Sequence, residues 1–279
     1  MLDGAWYSPG STGQGVVIDS IDAAHTAFLS WFTVTGTGGL ALGEQRWYTL
    51  QGALPPNAGT VSLDILQNTG GRFAQGPSTA AQVVGHATLT FPGCGNAALS
   101  YAFDPGENGG ARGVLGLVPL TPSGTTCGTI FEGAVAAPVL AANGFDTRQS
   151  GTWYDTAASG QGFSFVVHPG AQGGYLFGAW YTYDPAGAAD DPTAQHWFTL
   201  QGDLSNAANG TVSLTISRTI GGTFDYGPTR DTYRVGVATL QFTDCGTATL
   251  DYQFDQSEVA AAFAGLSGHL NLTGLGTCP

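Results

Sequence analysis

The sequence predicts an all-β protein built from two tandem antiparallel β-domains, and three observations carry that prediction. Apolar and polar residues alternate with period two over many short stretches. These stretches are bounded by Gly, Asn and Asp clusters, and helix-period patterns are essentially absent. The whole pattern is then written a second time in the same order, which at this repeat length means duplicated domains and not a solenoid.

The elements justify this one by one. GAWYSPGSTGQGVV from Gly4 returns as GTWYDTAASGQGFSF from Gly151, and FLSWFT from Phe28 returns as FGAWYT from Phe177. RWYTLQG, Arg46 to Gly52, returns as HWFTLQG, His196 to Gly202. Next, Val61, Leu63 and Ile65 alternate with Thr60, Ser62 and Asp64, as Val212, Leu214 and Ile216 do in the second copy. Leu89 and Phe91, then Leu99, Tyr101 and Phe103, match Leu240 and Phe242, then Leu250, Tyr252 and Phe254. About eight strands per copy, joined mostly by short turns, fit an up-and-down barrel or a two-sheet sandwich. The barrel is favoured because a closed meander leaves no edge strand. Pro119 in the last strand of the first copy predicts a bulge or an imperfect closure. The expected boundaries are a first repeat at 1–130, a linker at 131–150 with a helical turn near Ala134 to Ala142, and a second repeat at 151–279.

Bulk properties narrow the function. The 279 residues are 42% hydrophobic and only 10% charged, with 44 glycines, a globular but turn-rich composition. All seven basic residues are arginines and the formal net charge is -13. Without a basic patch, neither nucleic acid nor an anionic membrane is an expected partner. No apolar run approaches the roughly 20 residues of a spanning helix, so membrane insertion is not expected. Cys94 and Cys127 repeat the spacing of Cys245 and Cys278, which predicts one disulfide within each copy. Zinc is a poor rival without close-set ligand pairs. Disulfides imply an oxidising compartment: the expectation is a secreted, periplasmic or cell-surface bacterial-type protein. Met1 directly before LDGAWY leaves no room for a signal peptide and reads as a start residue added to a trimmed chain.

The second copy resembles the avidin and streptavidin type of β-barrel. GTWYDTAASGQGFSFVV resembles that family's opening strand, GGYLFGAWYT its second and QHWFTLQGDL a later one, over about the first third of each copy. The resemblance implies ligand-holding roles for Asp155 and Ser159, and for Trp180 and Thr182 facing the lumen. Their counterparts in the first copy are Ser8, Thr12, Trp31 and Thr33. The later strands lack the family's tryptophans, and Leu270 stands where the family has a buried Asp. What carries over is a ligand-lined lumen and not biotin binding.

From the residues themselves, the candidate ligand surface is an aromatic and polar stripe. It comprises Trp31, Thr33, Trp47, Thr49 and Gln51, repeated as Trp180, Thr182, Trp197, Thr199 and Gln201. Rings flanked by amides and hydroxyls suit sugars, while the competing reading is that these tryptophans are packing. SGQGF and TGQGV are followed by strands, so a phosphate loop is set aside; their glycines make tight turns and Gln14 and Gln161 bond backbone or ligand. Asp104 and Asp255 stand alone, whereas a glycosidase needs two facing carboxylates. His25, His86, His168, His196 and His269 share no position between copies, and Asp184, Asp190 and Asp191 read as an exposed acidic loop. No cofactor, metal or catalytic residue is expected. The expected function is non-catalytic recognition of a glycan or another small, partly apolar ligand. A structural subunit of an extracellular fibre or matrix, with self-assembly, is the alternative, and a glycan-active enzyme the third reading.

Overall fold

The computed structural model describes residues 3–21, 24–35, 45–55, 58–76, 81–93, 95–120, 143–168, 170, 173–187, 192–224 and 231–276. In the first repeat the strands are β1 (Gly4–Tyr7), β2 (Gly15–Ile21), β3 (Thr26–Val34), β4 (Gln45–Ala53), β5 (Thr60–Gln67), β6 (Gln82–Gly93), β7 (Asn96–Phe103) and β8 (Arg112–Pro119). In the second they are β9 (Gly151–Asp155), β10 (Gly162–His168), β11 (Tyr175–Tyr183), β12 (Gln195–Asp203), β13 (Thr211–Ile220), β14 (Asp231–Phe242), β15 (Thr247–Phe254) and β16 (Ser267–Gly274).

Each strand pairs antiparallel with its chain neighbours, and the first pairs with the last, so both repeats are closed eight-stranded barrels and not sandwiches. β1 meets β8 through Trp6 and Tyr7 opposite Pro119 and Val118, and β9 meets β16 through three pairs. Pro119 lies at the very end of β8, where its missing N–H interrupts no ladder. The main chain carries the seam one step further, Leu120 N donating to Ala5 O at 2.7 Å.

The predicted alternation sets which side faces inward. Val61, Leu63, Ile65, Leu99, Tyr101 and Phe103 are buried in the first barrel, while Ser62, Asp64 and Ser100 are exposed. The second barrel buries the matching residues Val212, Leu214, Ile216, Leu250, Tyr252 and Phe254. On these strands the apolar side faces the interior and the polar side faces out, whereas β3, β4, β11 and β12 are buried on both faces over most of their length. Among the described residues, no helix is long and apolar enough to cross a membrane.

The chain divides into two compact units that depart from the expected 1–130 and 151–279 at two connections. The first unit comprises Met1–Asn68, Ala81–Ala136 and Gly221–Arg230; the second comprises Thr69–Ala80, Ala137–Ile220 and Asp231–Pro279. The β5–β6 connection therefore belongs to the second unit and the β13–β14 connection to the first. The expected linker 131–150 also needs correction at its end. Phe145 is wholly buried in the second core, with Phe242 at 5.8 Å. Asp146 caps the short turn Thr147–Gln149 by accepting from Arg148 N at 2.8 Å, and Gln149 O accepts from Trp153 Nε1 at 3.0 Å. The helical turn expected near Ala134 to Ala142 lies outside the described residues.

Cys94, Cys127 and Cys278 also lie outside them. Cys245 is not a free thiol, but no disulfide pairing can be described with its expected partner among the undescribed residues.

Candidate functional site

The stripe expected to form one ligand surface is divided by the strand register. Residues directly opposite in an antiparallel pair share a face, and β3 pairs with β4 as Trp31 with Tyr48 and Phe32 with Trp47. β11 and β12 repeat this, Trp180 with Phe198 and Tyr181 with Trp197. Trp31 and Thr33, like Trp180 and Thr182, therefore point into the barrels. Trp47, Thr49 and Gln51, like Trp197, Thr199 and Gln201, sit on the opposite face. All four indoles are closed off, at 1% exposure for Trp31 and Trp180, 2% for Trp47 and 0% for Trp197. Gln51 and Gln201 are exposed, and Thr49 and Thr199 half-buried.

The interior half of the stripe does form a site, at the barrel end where β10 begins and β11 finishes. Four rings, Trp180, Tyr252, Phe254 and Phe263, surround the side chain of Phe73 at centroid distances of 5.2, 5.5, 5.9 and 5.1 Å. Three of these contacts are edge-on, the arrangement that ring quadrupoles favour. Phe73 comes from the β5–β6 connection, and it is only 6% exposed. The lumen of the second barrel is thus filled by a phenylalanine carried on a glycine-rich turn.

Gln161, from the SGQGF turn, fixes that turn by its backbone. Its Nε2 donates to Arg72 O and Gln75 O, both at 2.8 Å, and its Oε1 accepts from Ala74 N at 3.1 Å. Thr182 Oγ1 donates to the same Oε1 at 2.8 Å. Two donors and two lone pairs are an amide's full capacity, so Gln161 is saturated, three of its four bonds going to the turn. Glycine is required in the turn itself. A Cβ on Gly71 would lie 2.1 Å from the ring of Tyr183, and one on Gly76 would lie 2.5 Å from Ala157 O. Burial pushes the Tyr183 phenol up, so it stays neutral and donates to Gly160 O at 3.1 Å.

The first barrel repeats the arrangement. Phe224, 7% exposed, comes from the β13–β14 connection and lies 5.4 Å from Trp31, 5.5 Å from Tyr101 and 5.6 Å from Phe103. Gln14 Nε2 donates to Thr223 O at 3.1 Å and to Ser11 Oγ at 2.6 Å, and its Oε1 accepts from Thr33 Oγ1.

A small crevice of about 10 Å³ remains at the second mouth, lined by Ala74, Asp155, Gln161, Phe163, Trp180 and Leu270 among others. It brings together Asp155 and Trp180, two of the positions carried over from the avidin resemblance, but it has room for about one water molecule, far below the ~300–1,000 Å³ of ordinary ligand pockets. The Asp155 carboxylate is already engaged, accepting from Ala157 N at 2.8 Å and Asn271 N at 3.2 Å. Ser159 and Thr12 are exposed and Ser8 half-buried. Leu270 takes its place in the core.

Charged groups gather at the same mouth. Asp184 lies 3.5 Å from His196 Nε2 and accepts from Ala186 N at 2.7 Å, and the bond from His196 leads the causes that hold its carboxyl below the usual range. Arg218, 1% exposed, donates from Nη1 to Val259 O at 3.1 Å. Asp190 and Asp191 lie outside the described residues. Elsewhere His86 pairs with Asp64 and His269 with Asp251, each at 2.8 Å on the exposed wall, His168 stacks on Tyr175, and His25 is exposed. Asp104 is exposed, while Asp255 is bonded to Arg234 at 2.8 Å. Among the described residues, no three His, Cys, Asp or Glu side chains are grouped to hold a metal.

Phe73 and Phe224 were not among the sequence candidates. Their signal was nonetheless written twice, as GGRFAQGP from Gly70 and GGTFDYGP from Gly221.

No protein-family model and no curated protein matches the chain. Among solved structures it is similar to the dehydratase domain from the terminal module of the rifamycin polyketide synthase, at 10% identity over 96% of this chain and 97% of that one. The TM-score is 0.14, too low to bear on fold or function.

Proposed function

We propose that this is a non-catalytic, secreted or surface-exposed structural binding protein whose two barrel mouths each recognise a phenylalanine presented on a Gly-Gly-x-Phe turn. One observation carries the reading: at the second mouth, Phe73 is ringed by four aromatic side chains while Gln161 spends three of its four hydrogen bonds on the backbone of the same turn. That is recognition of a peptide turn, side chain and main chain together. It favours a structural subunit over a sugar receptor, since a sugar-binding site offers an open ring face and every indole of the stripe is buried. The two like-spaced cysteine pairs support an oxidising compartment.

The test uses Phe73→Ala, which vacates the ring cage. A peptide of sequence TGGRFAQG should bind this variant and change its tryptophan fluorescence saturably, and the same peptide with Phe replaced by Ala should not. The wild-type chain should give no saturable response to a panel of oligosaccharides. A saturable sugar response in the wild type, or a Phe73→Ala variant indifferent to the peptide, would overturn the reading.

A further inference from the structure

The two turns that fill the barrels are exchanged between repeats: Thr69–Ala80 belongs to the second unit and Gly221–Arg230 to the first. Each molecule therefore carries two turns and two receptors. The contacts that hold Phe73 depend only on the turn and on the mouth that receives it. An identical turn from an identical chain would make the same contacts, and resting on the reading above, this has a consequence for assembly.

We propose that a second copy of this chain completes the barrels, Phe73 of one molecule seated among Trp180, Tyr252, Phe254 and Phe263 of another, and Phe224 among Trp31, Tyr101 and Phe103. Exchange of an identical element is a low-cost route to oligomers because no new interface has to be built. The balance between closed and exchanged forms is then set by the effective concentration of a turn on its own chain, about millimolar for a short flexible tether. Dilute chains close on themselves. Chains that fold side by side at comparable density exchange turns. Once folded, an exchanged pair is trapped, since separating it means emptying four ring cages.

The experiment refolds an equal mixture of two differently tagged full-length chains from denaturant at about 1 µM and at about 0.5 mM, a bracket chosen against that effective concentration, with mass read by light scattering after size exclusion. Expected are monomers from the dilute sample and doubly tagged dimers from the concentrated one, with no doubly tagged species when folded chains are merely mixed. The Phe73→Leu/Phe224→Leu double variant weakens the cages alike in both forms, so it leaves the yield of dimers on refolding unchanged and should let isolated dimers revert to monomers at least fivefold faster after dilution. If that variant does not fold, Gln14→Leu/Gln161→Leu, which weakens the receptors instead, should show the same acceleration. Monomers at both concentrations, or dimers that revert no faster in the variants, would overturn the proposal. Binding of the TGGRFAQG peptide to Phe73→Ala separates the two failures: with binding intact, only exchange between copies falls.

Discussion

The two barrel mouths hold the same kind of plug by different means. In the second, Gln161 gives both amide donors to the turn, at Arg72 O and Gln75 O. In the first, Gln14 gives one donor to Thr223 O, and the other to Ser11, a serine standing where the second repeat has Ala158. The rings differ in the same direction. Phe263, from the longer β15–β16 connection, lies 4.9 Å from Phe198 and closes over Phe73. In the first barrel Tyr48 stands where the second has Phe198, and its hydroxyl accepts from Asn108 Nδ2 at 2.8 Å. After duplication, one mouth has specialised in apolar enclosure and backbone capture, the other in polar bonds within its own rim. What both retain is a phenylalanine in the cage and a glutamine beneath it, which marks those two residues as the working parts.

Truncating the plugs is the strongest way to test that contrast. Phe73→Ala should cost about 4–5 kcal/mol in denaturant unfolding, and Phe224→Ala about 3 kcal/mol, within the range for buried Phe→Ala changes and ordered by the number of ring neighbours. Equal losses would show that Phe263 adds nothing to the second cage. Gln161→Leu should follow at about 2–3 kcal/mol, because it strips partners from three turn backbone groups, against about 1 kcal/mol for Gln14→Leu. Reversal of that order would mean that the Ser11 bond matters more than the turn.

The smallest expected difference is one of pH. At the far end of the first barrel, Asp3 Oδ1 accepts from Ser20 N and Oγ, both at 2.7 Å, where the second barrel has Ser150 Oγ accepting from Val167 N at 2.9 Å. Burial pushes the Asp3 carboxyl up to about 6 from 3.8, against the Ser20 bonds. A raised carboxyl favours the folded state while protonated, so this contribution is full below pH 3.8 and is lost as pH rises through about 6. Between pH 4 and pH 7 the wild type should therefore lose about 1–2 kcal/mol relative to Asp3→Ser, allowing for solvent near a half-buried group. Parallel stability curves for the two would contradict it.

Much of this architecture was legible in the sequence because its signals are local. The alternation of Val61, Leu63 and Ile65, and of their counterparts at Val212, Leu214 and Ile216, fixes which side chains share a face within one strand. Eight such strands with short turns leave closure as the simplest topology. The candidate surface was less legible because it depended on the phase between strands. Trp31 and Trp47 each sit in a well-read strand, but whether they face the same way is decided by pairing across a connection, and the register placed Tyr48 opposite Trp31. Gln14 and Gln161 were identified as groups that bond backbone or ligand, from their tight glycine turns. Phe73 and Phe224 escaped because a single aromatic residue in a glycine-rich connection has no periodicity, and its destination is a different repeat from the one that carries it.

That destination has a consequence for the order of biogenesis. The segment Gly221–Arg230, which completes the first unit, is translated after the greater part of the second repeat. The amino-terminal barrel must wait with its cage unstoppered while roughly a hundred further residues emerge, so the usual vectorial scheme, in which an earlier domain matures before a later one, does not apply. Maturation is a joint event near the end of synthesis, and a truncation after residue 120 but before residue 221 leaves a first barrel that has every strand and no cork.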